Sequence, residues 1–332
     1  MIRVFFDHQY KFLGNNIRTF YEILISELKK DTEFDIIESD DIKISKKILR
    51  EEQYDIFHPT GVDNYFLKMI SDKKKMVIFI PDMIDEILHE KVVKEFEDMI
   101  YKIVDNKSKQ IFLSNKIVFP SKTTENYFWV LYRRYKEYLP DQKFSHINFN
   151  IDNLDNGEKM NAKYILIADD RLYPIPYKRF IETLTTISDF LKNNQDIKLV
   201  ISGYDLTEKE KSFIDELGIF NSILYRDKSK QLYEGALVTI FPSIIDGINV
   251  SVFEAINSNS LCLFNSKNPY FKEIIKDNDV LVYDEEVLND LLQEISTLDK
   301  YDRDTLIKNQ KNMIPKTDFV AQYKRIFKEI LD

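Results

Sequence analysis

The sequence predicts an α/β protein made of two domains, each with a parallel β-sheet. Short apolar runs alternate with longer segments of helical periodicity, the pattern of parallel strands joined by crossover helices. The length of 332 residues suits two ordinary domains of about 150 residues each. A polar, non-periodic stretch at 151–158 contains one of only seven glycines and is typical of a linker between two such domains.

The domain bounds follow from that linker. We expect a first domain at 1–152, a second domain at 160–310, and a helical segment at 311–332 that packs back toward the first domain. In this last segment apolar residues, among them Phe319 and Tyr323, recur at helical spacing and form one stripe.

Each strand is predicted where a short apolar run lies between polar or turn residues. In the first domain these runs are 2–6, 34–37, 55–57, 76–80 and 116–119. In the second domain they are 163–168, 197–201, 222–225, 237–241, 260–264 and 280–283. An apolar stripe through Phe20, Leu24 and Leu28 predicts the first helix. Helices of the second domain are predicted at 177–191, at 208–217 after a capping box, at 231–235 and from about 251.

Composition and charge exclude several classes of protein. Hydrophobic residues make up 44% of the chain and charged residues 31%, which is typical of a folded protein. A net charge of −9 makes nucleic acid a poor expectation as a partner. No apolar run approaches the roughly 20 residues that span a bilayer, and charged residues follow the first strand at once. We therefore expect a cytoplasmic protein with no membrane span and no signal peptide.

Metal and disulfide chemistry are also poor expectations. The only cysteine, Cys262, lies in an apolar run, where a buried and inert thiol is the expected state. The four histidines show no spacing typical of metal ligands, so we expect no metal site.

The segment at 241–255 holds two carboxylates in a pattern that suits a phosphate-containing ligand. Asp246 lies in a loop after a predicted strand, and Glu254 lies in the first turn of the predicted helix that follows. Backbone N–H groups at a helix N-terminus favour a diphosphate, and nearby carboxylates can accept hydrogen bonds from sugar hydroxyls. By themselves, the same residues also fit a structural interpretation, with a turn at Asp246 and Gly247 and a capping box at 251–254.

Ordered matches along the whole chain favour the first interpretation. The segment resembles the signature F-P-S-x-x-E-G-F-G-x-P-x-x-E-A of family 4 of the retaining, nucleotide-sugar-dependent glycosyltransferases. The signature positions kept here are Phe241, Pro242, Ser243, Gly247, Glu254 and Ala255. Further segments that resemble elements of the family lie at 54–60, 118–124, 198–203, 231–236 and 268–274. The resemblance implies the GT-B fold, in which two Rossmann-like domains face a central cleft.

The resemblance also implies roles for individual residues. Arg171 and Lys178 match the two cations that bind the donor diphosphate, and Asp246 would contact the transferred sugar; these three are the predicted catalytic residues. Without the other motifs, both cations would be interpreted as solvated side chains in a proline-containing loop. The predicted donor-binding residues are Glu254, Gly247, Ile248, Asn249, Val250, Gly14, Gly203, Tyr225 and Arg226. Among them Glu254 would hold the ribose hydroxyls.

Two residues of the first domain match family positions on the acceptor or sugar side. They are His58 and Asp82. Structural alternatives stay open for both, because a strand-end histidine is often packed and hydrogen-bonded, and an aspartate here can be a turn or cap residue.

The chain departs from the family pattern around the implied site. Asp246 stands in place of a glutamate, Asn249 in place of a glycine, Ser251 in place of a proline, Pro81 in place of a histidine, and Leu13 in place of the first of two glycines. The changes at 13, 81, 246 and 249 keep open the alternative of a glycosyltransferase-like subunit that has lost turnover and serves as a binding or partner module.

One further segment, 127–138, mixes aromatic residues with cations. This composition suits a membrane interface or a lipid-linked acceptor. The aromatic residues at 128, 132 and 135 also follow the helical spacing of core residues, and we favour the core.

The resemblance thus implies a retaining, metal-independent hexosyltransferase. It would move a hexose-type sugar from a UDP- or GDP-linked donor to a glycan or lipid-linked acceptor, in surface polysaccharide or glycoconjugate assembly. Catalysis would rest on positioning and charge stabilisation, with no cofactor beyond the substrates. The expected partners are donor and acceptor, with peripheral association at the inner face of the membrane as an open alternative. The sequence leaves the donor base, the sugar, the acceptor and the oligomeric state undetermined.

Overall fold

The chain forms two compact units. The computed structural model describes residues 1–12, 15–61, 65–66, 69–70, 73–81, 97–148, 150, 156–158, 160–168, 178–202, 206–275, 282–314 and 318–332. The first unit consists of Met1–Phe149 and Thr317–Asp332, and the second consists of Asn150–Lys316. The two ends of the chain therefore belong to the same unit.

The first unit is built on a parallel sheet of six strands in the order β2-β1-β3-β4-β5-β6. The strands are β1 (Ile2–Phe6), β2 (Phe34–Glu38), β3 (Ile56–His58), β4 (Lys75–Phe79), β5 (Lys116–Phe119) and β6 (Phe144–His146). The helices are α1 (Asn15–Lys29), α2 (Ile42–Glu51), α3 (Glu97–Leu113) and α4 (Lys122–Tyr132). Short 3-10 helices lie at His8–Phe12, Arg133–Tyr138 and Asp141–Lys143.

The first five strands lie within one residue of their predicted bounds. The sixth, β6, is absent from the prediction because its three residues are only half-buried or exposed and therefore form no apolar run.

The second unit repeats this plan with the strand order β12-β11-β10-β7-β8-β9, again all parallel. Its strands are β7 (Lys163–Ala168), β8 (Ile197–Ser202), β9 (Ile223–Arg226), β10 (Val238–Phe241), β11 (Cys262–Asn265) and β12 (Val282–Tyr283). Its helices are α5 (Phe180–Asn193), α6 (Glu208–Glu216), α7 (Lys230–Gly235), α8 (Val250–Asn257), α9 (Pro269–Ile275), α10 (Leu288–Thr297) and α11 (Lys300–Met313). Short 3-10 helices lie at Phe220–Ser222 and Glu285–Val287.

Local sequence signals explain how these elements begin. The capping box predicted for α6 is present: Thr207 Oγ1 accepts a hydrogen bond from the Glu210 amide, and Glu210 Oε2 accepts one from the Thr207 amide. The thiol of Cys262 is fully buried in β11, as predicted, and burial raises its pKa well above the usual range.

The last helix, α12 (Phe319–Glu329), packs in the first unit. Asp318 caps it by accepting hydrogen bonds from the amides of the second and third helical residues. Its buried stripe faces the aromatic core, where Phe327 lies edge-on to Phe6. Ion pairs from Lys324 and Lys328 to two acidic residues between α1 and β2 fix its outer side.

Candidate active site

The topology of each sheet marks one place for a ligand. In the second unit β8 lies on one side of β7 and β10 on the other, so the strand order changes direction between β7 and β10. Open parallel α/β sheets bind ligands outside the carboxyl ends of the strands at such a switch point. The loop that follows β10 carries Asp246, and the segment that follows β7 leads to Lys178.

An ion pair joins these two segments. The Nζ of Lys178 lies 3.2 Å from Oδ1 of Asp246, and the two side chains are only 11% and 5% exposed. A pair this deeply buried requires good geometry and further hydrogen bonds to offset the loss of hydration. Two of the three predicted catalytic residues are therefore in direct contact.

The second oxygen of Asp246 has its own partner, Asn268, which was not predicted as a site residue. The Asn268 amide Nδ2 donates to Asp246 Oδ2 over 3.0 Å and to the carbonyl of Ser243 over 2.9 Å. Its Oδ1 accepts from the Tyr270 amide over 3.0 Å. An asparagine next to a proline after a strand signals a turn in the sequence, but that signal does not reveal its long-range partner.

The charge of Asp246 also affects the pKa of the neighbouring Tyr270. Burial raises the pKa of Tyr270 well above its usual range, and the nearby Asp246 carboxylate raises that pKa further. The described surroundings of Asp246 therefore include a cation, an amide and a neutral phenol.

The helix α8 begins one residue earlier than predicted. Asn249 is its N-cap residue and makes no side-chain capping bond, so Glu254 is the fifth helical residue and lies in the second turn, not the first. The alternative of a capping box at 251–254 is therefore wrong, because Ser251 is already inside the helix. Instead, the Tyr233 hydroxyl donates to Glu254 Oε2 over 3.4 Å. Helical side chains point back toward the N-terminus, which directs this carboxylate toward the start of α8.

A second cation lies at the start of α8. Lys228 Nζ donates to the Ser251 hydroxyl over 2.8 Å, and Ser251 is buried in the first turn. Lys228 was not predicted as a site residue, although it lies two residues after Arg226, a predicted donor-binding residue. This hydroxyl belongs to the residue that stands in place of the proline of the signature.

The loop between Asp246 and α8 presents its side chains inward. Ile248, Asn249 and Val250 are buried, as is Gly247, so the apolar side chains among them pack in the unit. At the end of β9, Tyr225 is half-buried and Arg226 is exposed. The Arg226 guanidinium donates to the Tyr225 carbonyl over 2.7 Å.

Four predicted site residues lie outside the described residues. They are Arg171, Gly14, Gly203 and Asp82.

In the first unit, His58 lies in the core. Its ring is fully buried, stacks on Phe6 with ring centroids 5.0 Å apart, and lies 5.7 Å from the ring of Tyr323. Nδ1 lies 3.3 Å from the carbonyl of Pro59. The packed alternative describes this residue, and we leave it out of the proposed site.

The switch point of the first unit holds a different polar residue. Strands β1 and β3 meet there, and the buried Asp7 follows β1. It accepts hydrogen bonds from the Thr60 amide (3.0 Å), the Gln9 side-chain amide (2.7 Å) and the Tyr65 hydroxyl (3.1 Å). Asp7 thus ties together the carboxyl ends of two adjacent strands; no motif in the sequence had pointed to it.

The aromatic and basic segment at 127–138 divides between core and surface. Phe128 and Tyr132 are buried, as the favoured interpretation predicts. Val130 and Tyr138 are 69% and 72% exposed.

The described part of the chain shows neither a cluster of metal ligands nor a helix suited to a membrane. No group of three or more His, Cys, Asp or Glu residues in the described ranges could hold a metal ion. None of the helices formed by those residues has the length and apolar character that crossing a membrane requires.

Comparison with known proteins places these features in a class. The fold is similar to sucrose-phosphate synthase from Thermosynechococcus elongatus (TM-score 0.74, 12% identity, covering 100% of this chain and 99% of that one). It is also similar to WaaG, a glycosyltransferase involved in lipopolysaccharide biosynthesis (TM-score 0.69, 13% identity, covering 99% of each chain). A third similar structure is S. aureus TarM in complex with UDP (TM-score 0.62, 14% identity, covering 86% of this chain and 58% of that one). Comparison with curated proteins gave no significant sequence match.

The two Rossmann-like units and these similarities define the GT-B fold, which confirms the predicted fold class. Residues 156–313, most of the second unit and a little under half of the chain, match the family model described as glycosyl transferases group 1. The candidate site lies inside the matched segment.

Proposed function

We propose that this protein is a retaining glycosyltransferase of family 4 that uses a nucleoside-diphosphate sugar. The observation that carries the proposal is the buried pair of Lys178 and Asp246 at the switch point of a group 1 glycosyltransferase domain. Such a pair offers a cation for the diphosphate and a carboxylate for sugar hydroxyls at one place.

The donor would bind through charge and backbone dipoles. Its diphosphate carries more negative charge than one carboxylate, so it would draw the Lys178 ammonium from Asp246 toward the leaving group. The N-terminus of α8 supplies N–H groups of favourable polarity, and Lys228 adds a cation at that end. Glu254, directed toward the same end of the helix, would accept hydrogen bonds from the ribose hydroxyls.

The reaction would replace the glycosidic bond to the diphosphate with a bond to the acceptor oxygen. The leaving diphosphate takes the electron pair of the broken bond, and the acceptor hydroxyl proton passes to a departing phosphate oxygen. Lys178 and the N-terminus of α8 stabilise the charge that develops on the diphosphate. We propose that this stabilisation needs no metal ion and that attack on the same face retains the anomeric configuration.

The donor and setting follow by analogy. TarM was solved with UDP, and WaaG acts in lipopolysaccharide biosynthesis. We propose a UDP- or GDP-linked hexose as donor and a glycan or lipid-linked acceptor in glycoconjugate assembly, with Asp7 holding the strand ends on the acceptor side.

The first experiment is calorimetric titration with UDP, GDP, ADP and their sugars in the presence of EDTA. We expect one of the three nucleotide series to bind. Lys178→Ala should lower the affinity for the diphosphate of that series tenfold or more, since a charge-assisted hydrogen bond contributes about 1.5–3 kcal/mol. Lys192→Ala is the matched control, because Lys192 is an exposed lysine paired to a carboxylate of its own helix. Unchanged affinity in Lys178→Ala would contradict the assignment of the diphosphate site.

Turnover separates the enzyme from its alternative. Donor hydrolysis by the wild type that is lost in Glu254→Gln and Lys178→Ala supports an enzyme. A wild type that binds the nucleotide sugar but never hydrolyses or transfers it would be the degenerate binding subunit that the replacements at 13, 81, 246 and 249 suggested.

Peripheral membrane association is proposed for the surface at Val130, Arg133, Lys136 and Tyr138. Two exposed apolar side chains beside two cations suit an anionic lipid surface. The test is co-sedimentation with vesicles of phosphatidylglycerol against vesicles of phosphatidylcholine. The double substitution Arg133→Glu and Lys136→Glu should abolish sedimentation with the anionic vesicles, and equal sedimentation with both kinds of vesicle would contradict the proposal.

A further inference from the structure

We infer that Asn268 is a positioning residue that orients the Asp246 carboxylate toward the sugar of the donor. The inference rests on the proposed function and adds to it a residue outside the implied motif. Asn268 is fully buried and reaches Asp246 from the loop after β11, on the neighbouring strand of the sheet.

The two oxygens of Asp246 have chemically different partners. Oδ1 accepts from the Lys178 ammonium and Oδ2 from the Asn268 amide, over 3.2 and 3.0 Å. The terminal torsion of an aspartate is broad and roughly two-fold, so the carboxylate has little orientation preference of its own. A fixed donor on one oxygen removes this freedom and leaves the other oxygen in a defined direction.

The same amide also fixes the backbone beneath the carboxylate. Asn268 Nδ2 donates to the Ser243 carbonyl over 2.9 Å, three residues before Asp246, and Asn268 Oδ1 accepts from the Tyr270 amide at the start of α9. One side chain therefore couples the loop, the carboxylate and a helix start. An aspartate, one methylene shorter than the glutamate of the family signature, depends more on such support because its reach is set by its backbone.

The two partners of Asp246 should behave differently when the donor binds. The Lys178 ammonium is attracted to the diphosphate, whereas the neutral Asn268 amide is not. Asp246 would then keep its bond to Asn268, which favours the charged form of the carboxylate, while Oδ1 becomes available to a sugar hydroxyl. The predicted contribution of Asn268 is therefore to recognition of the sugar and not of the nucleotide.

The chain offers a matched control in Asn265. Its Nδ2 donates to the Pro242 carbonyl over 3.2 Å, and its Oδ1 accepts from the Lys267 amide over 3.0 Å. It is buried like Asn268 and links the last residue of β11 to the same loop after β10. Unlike Asn265, Asn268 also donates to Asp246.

The test compares the affinity for a nucleoside diphosphate with that for its sugar, by calorimetry. UDP, UDP-glucose, UDP-N-acetylglucosamine, GDP and GDP-mannose are the probes, and the sugar nucleotide that binds the wild type most tightly is carried forward. We expect Asn268→Ala to lower the affinity for the sugar nucleotide about tenfold. The affinity for the free diphosphate should stay within about twofold of the wild-type value. Asn265→Ala should leave the affinities for both ligands within about twofold of the wild-type values.

A second variant guards against misfolding. Asn268→Asp keeps an oxygen for the Tyr270 amide but removes the donor to Asp246 and places a like charge beside it, so the sugar nucleotide should lose at least as much affinity as in Asn268→Ala. The inference would be overturned if the Asn268 variants lost affinity for both ligands equally, or if their affinity for the sugar nucleotide were unchanged. The proposed function would stand in either case. A wild type that binds no nucleotide would overturn both.

Discussion

The environment of a single side chain decides between the two interpretations of His58. Its ring lies among the aromatic residues Phe6, Tyr21, Tyr323 and Phe327, and burial lowers its pKa from 6.5 to about 3. Because the imidazole is uncharged near neutral pH, it acts as an aromatic core residue. The sequence motif could not show this, since motif matching identifies a residue and not its burial.

This burial predicts a pH dependence of stability. The pKa of His58 is lower in the folded than in the unfolded state, so its full contribution to the free energy of unfolding is present above about pH 6.5. As the pH falls from there toward 3, this contribution decreases by about 1.4 kcal/mol per pH unit. Urea unfolding between about pH 7.5 and pH 5, followed by Trp129 fluorescence, should show this loss in the wild type and a shallower dependence in His58→Phe. Identical slopes in the two proteins would refute the assignment.

A second residue-scale prediction concerns Cys262. Its thiol is fully buried and its pKa is raised, so the reactive thiolate is scarce and inaccessible. We expect no reaction with an aromatic disulfide reagent in the native protein and one equivalent of reaction after unfolding in urea. Stoichiometric labelling of the native protein within minutes would show that β11 is accessible.

At the scale of elements, α12 shows how a terminal segment becomes part of a distant core. Its sequence predicts an amphipathic helix, and its apolar stripe is buried against the aromatic side chains of the first unit. The helix is separated from the rest of that unit in sequence by the entire second unit. Its stability therefore depends on tertiary packing more than on helix propensity.

Truncation of this stripe should destabilise the first unit. Phe327 is fully buried among aromatic rings, and Phe327→Ala should lower the free energy of unfolding by about 3–5 kcal/mol. Leu331→Ala serves as the control, since Leu331 is 39% exposed and its truncation should change stability by about 0.5 kcal/mol or less. Urea unfolding followed by Trp129 fluorescence measures both; equal effects of the two substitutions would mean that α12 does not pack as described.

At the scale of the whole molecule, the two units carry separate reporters. The only tryptophan, Trp129, lies in α4 of the first unit, and the only cysteine, Cys262, lies in β11 of the second. Fluorescence and thiol labelling can therefore follow the two units independently in the intact chain.

These reporters locate the nucleotide. A ligand bound only to the folded second unit stabilises it by about 2.7 kcal/mol at a 100-fold excess over Kd. The urea midpoint for Cys262 labelling should therefore rise with the nucleotide that binds in calorimetry, and Lys178→Ala should reduce this rise. A rise seen by Trp129 fluorescence alone would place the nucleotide on the first unit.

The sequence by itself determined the class of fold and the order of its elements, because apolar runs, helical periodicity and caps are local properties of the chain. Of the twelve strands formed by the residues that the structure describes, eleven lie within two residues of their predicted positions. The strand that was missed, β6, forms by pairing with β5 despite its polar character. Pairing between strands is a tertiary interaction and leaves no periodic signal in so short a segment.

The site divides in the same way. Asp246, Glu254 and Lys178 were predicted as site residues from local motifs and resemblance, and the structure brings Lys178 into contact with Asp246. Asn268, Lys228 and Asp7 were not predicted, because each has a partner that is distant in sequence. Asn268 and Asp246 lie 22 positions apart, Lys228 and Ser251 lie 23 apart, and Asp7 and Thr60 lie 53 apart. The start of α8 and the burial of His58 were likewise decided by packing. Sequence determines which chemical groups are available; the tertiary structure decides which of them meet, because contacts across the sheet depend on distances that the linear order does not contain.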